Sequence, residues 1–318
     1  MKISVVIATR NRVRKLRDCL GSILGSSFSN FEIILIDQGV GDRVADLVRV
    51  LGQSKIHYFH RPGKGKSRAL NFGLTRATGE IIVFTDDDCL AAADWLLKIS
   101  RFLKKNPGVA GVFGQTLPYQ PQKHPAQYCP ATFIGLKTKF ISRPDVVHYQ
   151  ELGQGNNMSF RQKVLAEVGG FKTWLGVGSV SLSGGEESEM IYRILKKGFR
   201  LAFEPGIKVF HNRWLSDRQR RLLEGRYACG LRAFQLYYLL KGELLMWSMI
   251  KTRFKKRFVE KMAVLLKEAK KSGLAHFWKN KKDLIYLLWE GGCNLRGSLI
   301  GSYYYLESIC PLSSGSST

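Results

Sequence analysis

Acidic residues are scarce in this chain. Its 318 residues hold 25 Asp and Glu against 50 Lys and Arg, a formal net charge of +25. Such an imbalance favours anionic partners: nucleic acid, an anionic lipid surface or phosphorylated substrates. Part of it is also ordinary solvated surface. The six cysteines (Cys19, Cys89, Cys129, Cys229, Cys293, Cys310) include no C-x-x-C spacing. That argues against a zinc ribbon and a disulfide framework, and fits reduced thiols in a cytosolic setting. Long apolar runs are missing too. The first one lasts about six residues before Arg10, short of a signal-peptide core. No segment offers the roughly 18 uncharged apolar residues of a spanning helix. The nearest, 228–250, is interrupted by Arg232, Lys241 and Glu243. Two phosphate motifs are absent. GKS at 65–67 looks like the end of a P-loop, but His60 stands where its first glycine is required. No G-x-G-x-x-G opens a helix after the first apolar run, and no internal repeat is visible.

What is present is an alternation of two periods over the first 115 residues. ISVVIAT (3–9), FEIILID (31–37), IHYFHR (56–61), EIIVFTD (80–86) and GVAGVFGQ (108–115) read as strands. Between them lie helical patterns: Leu16, Leu20, Ile23 and Leu24; then Val44, Leu47, Val48 and Leu51 in 42–52. Leu70, Gly73, Leu74 and Ala77 mark a third over 66–77, and a fourth runs from Asp94 to Lys105. Continuous apolar strands alternating with helices predict an α/β fold, Rossmann-like, with a mostly parallel sheet flanked by helices. Residues 116–150 read as a long irregular connection. A short helix is expected from about Arg161 to Val168, a longer one over 186–199 with Gly198 as its stop, and short strands at 200–205 and 208–211. In open α/β sheets ligands bind outside the carboxyl ends of the strands. Thr9, Asp37 and Asp86 each end a strand, so they are expected along one edge.

TDDDC (85–89) is the sharpest chemical feature. Three adjacent carboxylates repel one another, and a divalent cation bridging to phosphate removes that penalty. In an extended segment Asp86 and Asp88 would point to the same side, one towards a ribose or sugar and the other towards a metal. The plain alternative is an acidic loop capping the next helix. SGGEESEM (183–190) puts carboxylates at a helix start, where they also suit the helix dipole. As a base that takes a proton from a hydroxyl, Glu187 is the first choice and Glu186 the second. His211, at the end of the last short strand, is a candidate third ligand. The glycine-rich turn before 66–77 could favour a diphosphate through backbone N–H groups and Lys64 or Arg68. Asn156 and Asn157 could hydrogen-bond a sugar.

Taken in order, these stretches resemble the family 2 inverting glycosyltransferases of GT-A fold over about residues 2–211. SVVIATRNR resembles the family's opening strand, with Arg10 in place of the usual aromatic. FEIILIDQG resembles the strand whose final Asp, here Asp37, contacts the nucleotide base; Gln38 stands where a second acid is usual. KGKSRALNFGLTRATGEIIVFTDDD is similar to the stretch leading into the D-x-D motif. GGEESEMIYRILKKGFRLAFEPGIKVFH is similar to the segment carrying the base, with Glu where Asp is commoner. The resemblance implies a donor site of Thr9, Asn11, Arg12, Asp37, Lys64, Arg68, Asn71, Asp86 and Asp87. It implies Mn²⁺ or Mg²⁺ on Asp88, Asp86 and His211, the base Glu187, and an acceptor side near Asn156, Asn157 and Glu186. The expected partners are a nucleotide-diphosphate sugar donor and a saccharide or lipid-linked acceptor, as in cell-surface polysaccharide synthesis.

Residues 1–213 are therefore expected to be the catalytic domain. Residues 214–312 read as a basic amphipathic helical extension and 313–318 as a disordered tail. From 214 to the end there are 19 Lys and Arg against 8 Asp and Glu. The basic run 251–257 lies beside aromatic-rich stretches at 236–247 and 284–289. That pattern suits an anionic membrane surface and a peripheral position on its cytoplasmic face; the alternative is a helical subdomain packed on the sheet. No specific nucleic acid is expected, because a triple Asp opposes a phosphate backbone. A nucleotidyltransferase would need a glycine-rich activating loop that is missing. A non-catalytic nucleotide-sugar binder would be indifferent to Glu187→Gln.

Overall fold

The structure is a computed structural model that describes residues 1–144, 152–179, 184–254, 292 and 294–306. The parallel core forms as the periods require. Strands β1 (Ile3–Thr9), β2 (Phe31–Asp37), β3 (Ile56–His60) and β4 (Ile81–Asp86) alternate with helices α1 (Val13–Leu24), α2 (Arg43–Leu51) and α3 (Lys66–Leu74). β1 lies between β2 and β4, and β3 pairs with β2, all parallel. Every residue of β2 is buried, as expected of a strand covered on both faces. Ile3, Val5, Ile7, Ile33, Leu35, Ile81 and Val83 point to one face, where they meet α1, α2 and α4 (Trp95–Lys105). On the other face α3 comes close because Gly73 has no side chain. A Cβ there would lie 2.5 Å from Val6 Cγ1 and 2.8 Å from Ile36 Cδ1.

The rest of the sheet is more mixed than the alternation suggests. Its order is β3-β2-β1-β4-β8-β6-β9-β5, with β7 on β9. β5 (Cys89–Ala91), β7 (Lys139–Ile141) and β8 (Met158–Arg161) are short and antiparallel to their neighbours. β6 (Val109–Pro118) runs past the expected end at 115. The two short strands expected near the close of this region are one, β9 (Arg200–His211), parallel to β6. Its register shifts between Gly114 and Gln115, opposite Glu204 and Lys208. Pro205 cannot donate to the ladder, so the strand bulges there instead of ending. Asn157 Nδ2 donates to Gln115 O at 2.7 Å and Ile207 O at 3.3 Å, and Gln115 Nε2 to Pro205 O at 2.7 Å, which satisfies the bulge.

α5 (Gln162–Val168) and α6 (Glu186–Lys196) complete this part. Gly198, at φ +82, stops α6, with Phe199 N donating to Ile194 O at 3.2 Å and Gly198 N to Leu195 O at 3.0 Å, a glycine C-cap. Inside α6, Glu189 is fully buried and paired with Arg193 by two bonds, 2.7 and 2.8 Å long. The same guanidinium caps α5, donating to the carbonyls of Val168, Gly169 and Gly170.

The chain divides into two compact units: residues 1–180 with 186–220, and 181–185 with 221–318. In the second unit the helix over 294–306 packs on α7 (Asp217–Leu240) through glycines. A Cβ at Gly297 would lie 2.2 Å from Cys229 O, and one at Gly301 2.3 Å from Ala233 O. α8 spans Leu244–Phe254. Among the described residues no helix is long and apolar enough to cross a membrane. The aromatic stretch 284–289, residues 255–257 of the basic run and the tail 313–318 lie outside the described residues.

Glu32, on β2, is a buried carboxylate with a structural task. It accepts from Ser4 Oγ at 2.5 Å, Lys2 Nζ at 2.9 Å, and Thr78 N and Oγ1 both at 2.8 Å. Burial pushes its pKa up, but these bonds outweigh burial and bring it from 4.5 down to about 2. A folded-state pKa below the unfolded one adds stability above the unfolded value, and that stability is lost as pH falls through the folded value. Urea midpoints should therefore fall between pH 5 and 2 in the wild type, and clearly less in Glu32→Gln. Equal pH slopes in the two proteins would exclude this role.

Candidate active site

The carboxyl ends of β1, β2 and β4 lie side by side: Thr9 is in register with Asp37, and Ala8 with Asp86. The strand ends at Asp86, however, and residues 87–88 form a turn before β5. The extended D-x-D expected from sequence is thereby corrected: the turn parts Asp86, which pairs with Lys66, from Asp87 and Asp88, which share Arg12. Asp86 pairs with Lys66 on the first turn of α3. Asp87 accepts from Thr9 Oγ1 at 2.7 Å and Arg12 Nη1 at 3.1 Å. Asp88 receives Arg12 Nη1 on Oδ2 at 2.9 Å and faces His211 Nε2 with Oδ1 at 3.1 Å.

His211 reaches Asp88 because β5 pairs antiparallel with the end of β9, opposing Cys89 and His211. Its Nδ1 donates to Pro130 O at 2.6 Å, so Nε2 is the nitrogen turned to the acids. Burial works against a charge on His211, but the bonds with Asp88 and Cys129 and the charge of Asp88 raise its pKa to about 10. Burial also opposes ionisation of Asp88, and the bond and charge of His211, with Arg12 and Arg213, hold it down at about 2. Asp87 goes the other way. Burial and the neighbouring Asp88 push it up to about 6 against Arg12 and Thr9.

A divalent cation fits this geometry. Two adjacent ligands of an octahedron with bonds of about 2.1 Å are about 3.0 Å apart, close to the 3.1 Å between Asp88 Oδ1 and His211 Nε2. The carbonyl behind Nδ1 fixes the ring as ligating histidines are fixed. Asp86, whose side chain is 29% exposed, stands one turn away and holds Lys66.

The remaining sequence candidates divide into groups. Asp37 accepts from Gly39 N at 2.7 Å and Tyr58 Oη at 3.1 Å. Asn11, at φ +58, accepts from Val40 N at 3.1 Å. Gly39 must be glycine, since a Cβ would meet Asn11 Oδ1 at 2.6 Å and Asp37 Oδ1 at 2.9 Å. Asp37 and Asn11 thus fix the turn that follows β2. Lys64 and Arg68 are exposed around the glycine turn. Asn71 spends its amide on the Phe171 backbone, at 2.8 and 2.7 Å. Asn156 and Asn157 are each 1% exposed. Asn156 bonds Thr116 Oγ1 at 2.8 Å and Ala131 O at 3.3 Å, and Asn157 Oδ1 takes Trp95 Nε1 at 2.9 Å. The structure thus corrects the reading of Asn156 and Asn157 as sugar contacts and of Asn71 as a donor-site residue: their polar groups brace the protein interior.

Glu186 and Glu187 begin α6. Gly155 leaves room beside Glu187, with a hypothetical Cβ 3.4 Å from its Cδ, and Gly176, at φ +96, does the same for Glu186 at 3.2 Å. Both glutamates have a buried Oε2 with no hydrogen-bond partner. Burial, then the charge of Glu187, pushes Glu186 well above the usual carboxylate range, although Lys66 pulls the other way. Lys66 lies within the fields of Asp86, Glu186 and Glu187 together. Burial disfavours its charge, and Asp86 followed by Glu186 more than restores it. Sequence reasoning chose Lys64 and Arg68 from the same turn and missed Lys66. Its signal was position: the first helical residue after Gly65 faces the neighbouring strand end.

Comparison with known proteins identifies the fold and the family. Over 98% of this chain and 88% of the other, the fold matches a mannosyltransferase from Pyrobaculum calidifontis solved with GDP-Man and Mn²⁺, at a TM-score of 0.61 and 18% identity. The fold is GT-A. A glucosyl-dolichyl phosphate glucuronosyltransferase of Haloferax volcanii is 26% identical over 219 residues, 66% of this chain and 69% of that one. An uncharacterized glycosyltransferase of Rickettsia felis is 34% identical over 106 residues, 33% of this chain and 18% of that protein; the match thus spans under a fifth of that relative's length. The glycosyl transferase family 2 model matches residues 4–168. The chain belongs to glycosyl transferase family 2.

Proposed function

We propose that this protein is an inverting glycosyltransferase that moves a sugar from a nucleotide-diphosphate donor to an acceptor hydroxyl. The observation that carries this reading is the convergence of the 86–88 acids, His211 and the Glu186–Glu187 pair on one edge of the sheet, with Lys66 among them. Asp88 and His211 would hold Mn²⁺ or Mg²⁺, with Asp86 nearby. Such a cation supplies charge neutralisation for a departing diphosphate. Asp37, Asn11 and Thr9 shape the nucleotide end, and Arg12, Lys64, Lys66 and Arg68 add positive charge towards the phosphates. Glu187 takes the proton of the acceptor hydroxyl as its oxygen attacks the anomeric carbon. The bond from that carbon to the diphosphate oxygen breaks on the opposite side, and configuration inverts.

The acceptor in this proposal is lipid-linked or a growing saccharide, as in cell-surface glycan synthesis. The dolichyl phosphate in the name of the Haloferax relative supports that choice. Residues 1–213 would form the catalytic domain. Residues 214–312 would dock on the cytoplasmic face of an anionic membrane, where Lys and Arg beside Trp and Tyr favour the interface. The test is a panel of UDP-, GDP- and dTDP-sugars scored for nucleoside-diphosphate release with Mn²⁺ or Mg²⁺ and with phosphorylated lipid or saccharide acceptors. Release with one donor, abolished by EDTA, is expected. No release with any donor and acceptor would sink the reading. Flotation with anionic liposomes should follow residues 214–318 and weaken as salt rises.

A further inference from the structure

We propose that Cys89 is a third ligand of the Asp88–His211 cation site, and that its thiolate makes the site select softer divalent ions, Zn²⁺ above all, over Mn²⁺. This rests on the cation site proposed above and adds to it a sulfur donor.

One ligand atom from each of Asp88, Cys89 and His211 lies within 4.8 Å of the others, and all three residues are buried. The backbone explains this grouping. Cys89 and His211 are directly paired across β5 and β9, and directly opposed residues send their side chains to the same face. Asp88 precedes Cys89 at the turn. Arg12 occupies Oδ2 of Asp88, which leaves Oδ1 for a cation. His211 Nδ1 is held by Pro130 O, which leaves Nε2. In a tetrahedral site sulfur and nitrogen ligands are about 3.5 Å apart, so a modest side-chain rotation closes the group on an ion. Three protein ligands and one open position then remain for a phosphate oxygen or water.

The donor set decides the preference. The carboxylate alone is a ligand of the Mn²⁺ type, whereas imidazole suits Zn²⁺, a thiolate favours Zn²⁺ and its softer neighbours, and the general affinity order already places Mn²⁺ at its low end. Cys89 is 1% exposed. On binding, the S–H bond breaks, a sulfur–metal bond forms, and the proton leaves to water. Zn²⁺ would thereby occupy the cation position in competition with Mn²⁺.

The test uses Co²⁺ as a spectroscopic stand-in with the full chain. Wild type should show a near-ultraviolet sulfur-to-cobalt charge-transfer band that Zn²⁺ removes. Cys89→Ser should lose the band, while Cys19→Ser and Cys129→Ser, which alter other buried thiols near the site, keep it. Cys89→Ser should weaken Zn²⁺ by about tenfold or more, yet leave Mn²⁺ binding with GDP or UDP, followed by electron paramagnetic resonance, within about twofold. A wild-type Co²⁺ complex without the band, or a band that survives Cys89→Ser, overturns the role of Cys89. If Mn²⁺ still binds with nucleoside diphosphate in that case, the proposed cation site stands. If no divalent ion binds with or without nucleotide, both fall.

Discussion

Glu187→Gln is expected to lower turnover by about 10²- to 10⁴-fold, the usual contribution of a positioned general base. The fold and donor affinity should be unchanged. The amide keeps the shape of the side chain, and Glu187 Oε2 has no hydrogen-bond partner to lose. The loss should appear in kcat rather than in KM for the donor, since the base acts on the acceptor proton in the transition state. Glu186→Gln separates the two glutamates. Burial, then the charge of Glu187, pushes Glu186 well above the usual carboxylate range, and an amide mimics the protonated acid this favours, so this variant should retain most activity. Nucleoside-diphosphate release at saturating donor measures both. If the Glu187 variant stays within threefold of wild type while the Glu186 variant is inactive, the base is misassigned.

The second large effect is on stability. Glu189→Ala should destabilise the protein by roughly 3–5 kcal/mol, because it leaves the Arg193 guanidinium without its buried counter-charge. Glu189 is fully buried, and the Arg193 side chain is 14% exposed. Domains of ordinary stability have only about 5–15 kcal/mol in total, so this variant should sit near the limit of folding. Arg193 would keep its bonds to the carbonyls that end α5. Replacing both members with apolar residues should therefore cost α5 its cap as well. Urea unfolding of the two single variants and the double variant closes the cycle, and a loss below about 1 kcal/mol for Glu189→Ala would contradict it.

The parallel half of the sheet was legible because its information is local. β2 is five apolar residues and two hydrogen-bonded acids, and the helices between strands carry their apolar residues at regular spacing. The antiparallel inserts were not legible. β5 and β7 have three residues each and β8 has four, too few for a period to show, and each exists only because a distant strand offers its edge. The site followed the same division. Strand ends could be lined up from topology, so Thr9, Asp37 and Asp86 met as expected. Side-chain partners could not be read off. Asn156 and Asn157 look like exposed polar residues in GQGNNMSF, and only the fold supplies Thr116, Trp95 and Gln115 as their partners. The turn at 87–88 was hidden for a related reason: an extended run of acids and a tight turn have the same composition.

The position of β8 has a consequence for how the chain is made. β4 and β6 do not touch directly; both are hydrogen-bonded to β8, the four residues Met158–Arg161. On a ribosome β1 to β4 emerge early and can pair at once. β6 is synthesised next and has no place in the sheet until some forty further residues are out. Through that interval the free edge of β4 is a bare row of donors and acceptors, open to another strand of the same kind. The nascent chain is most vulnerable to mispairing between the emergence of residue 86 and that of residue 161, and β8 is the piece that ends the risk.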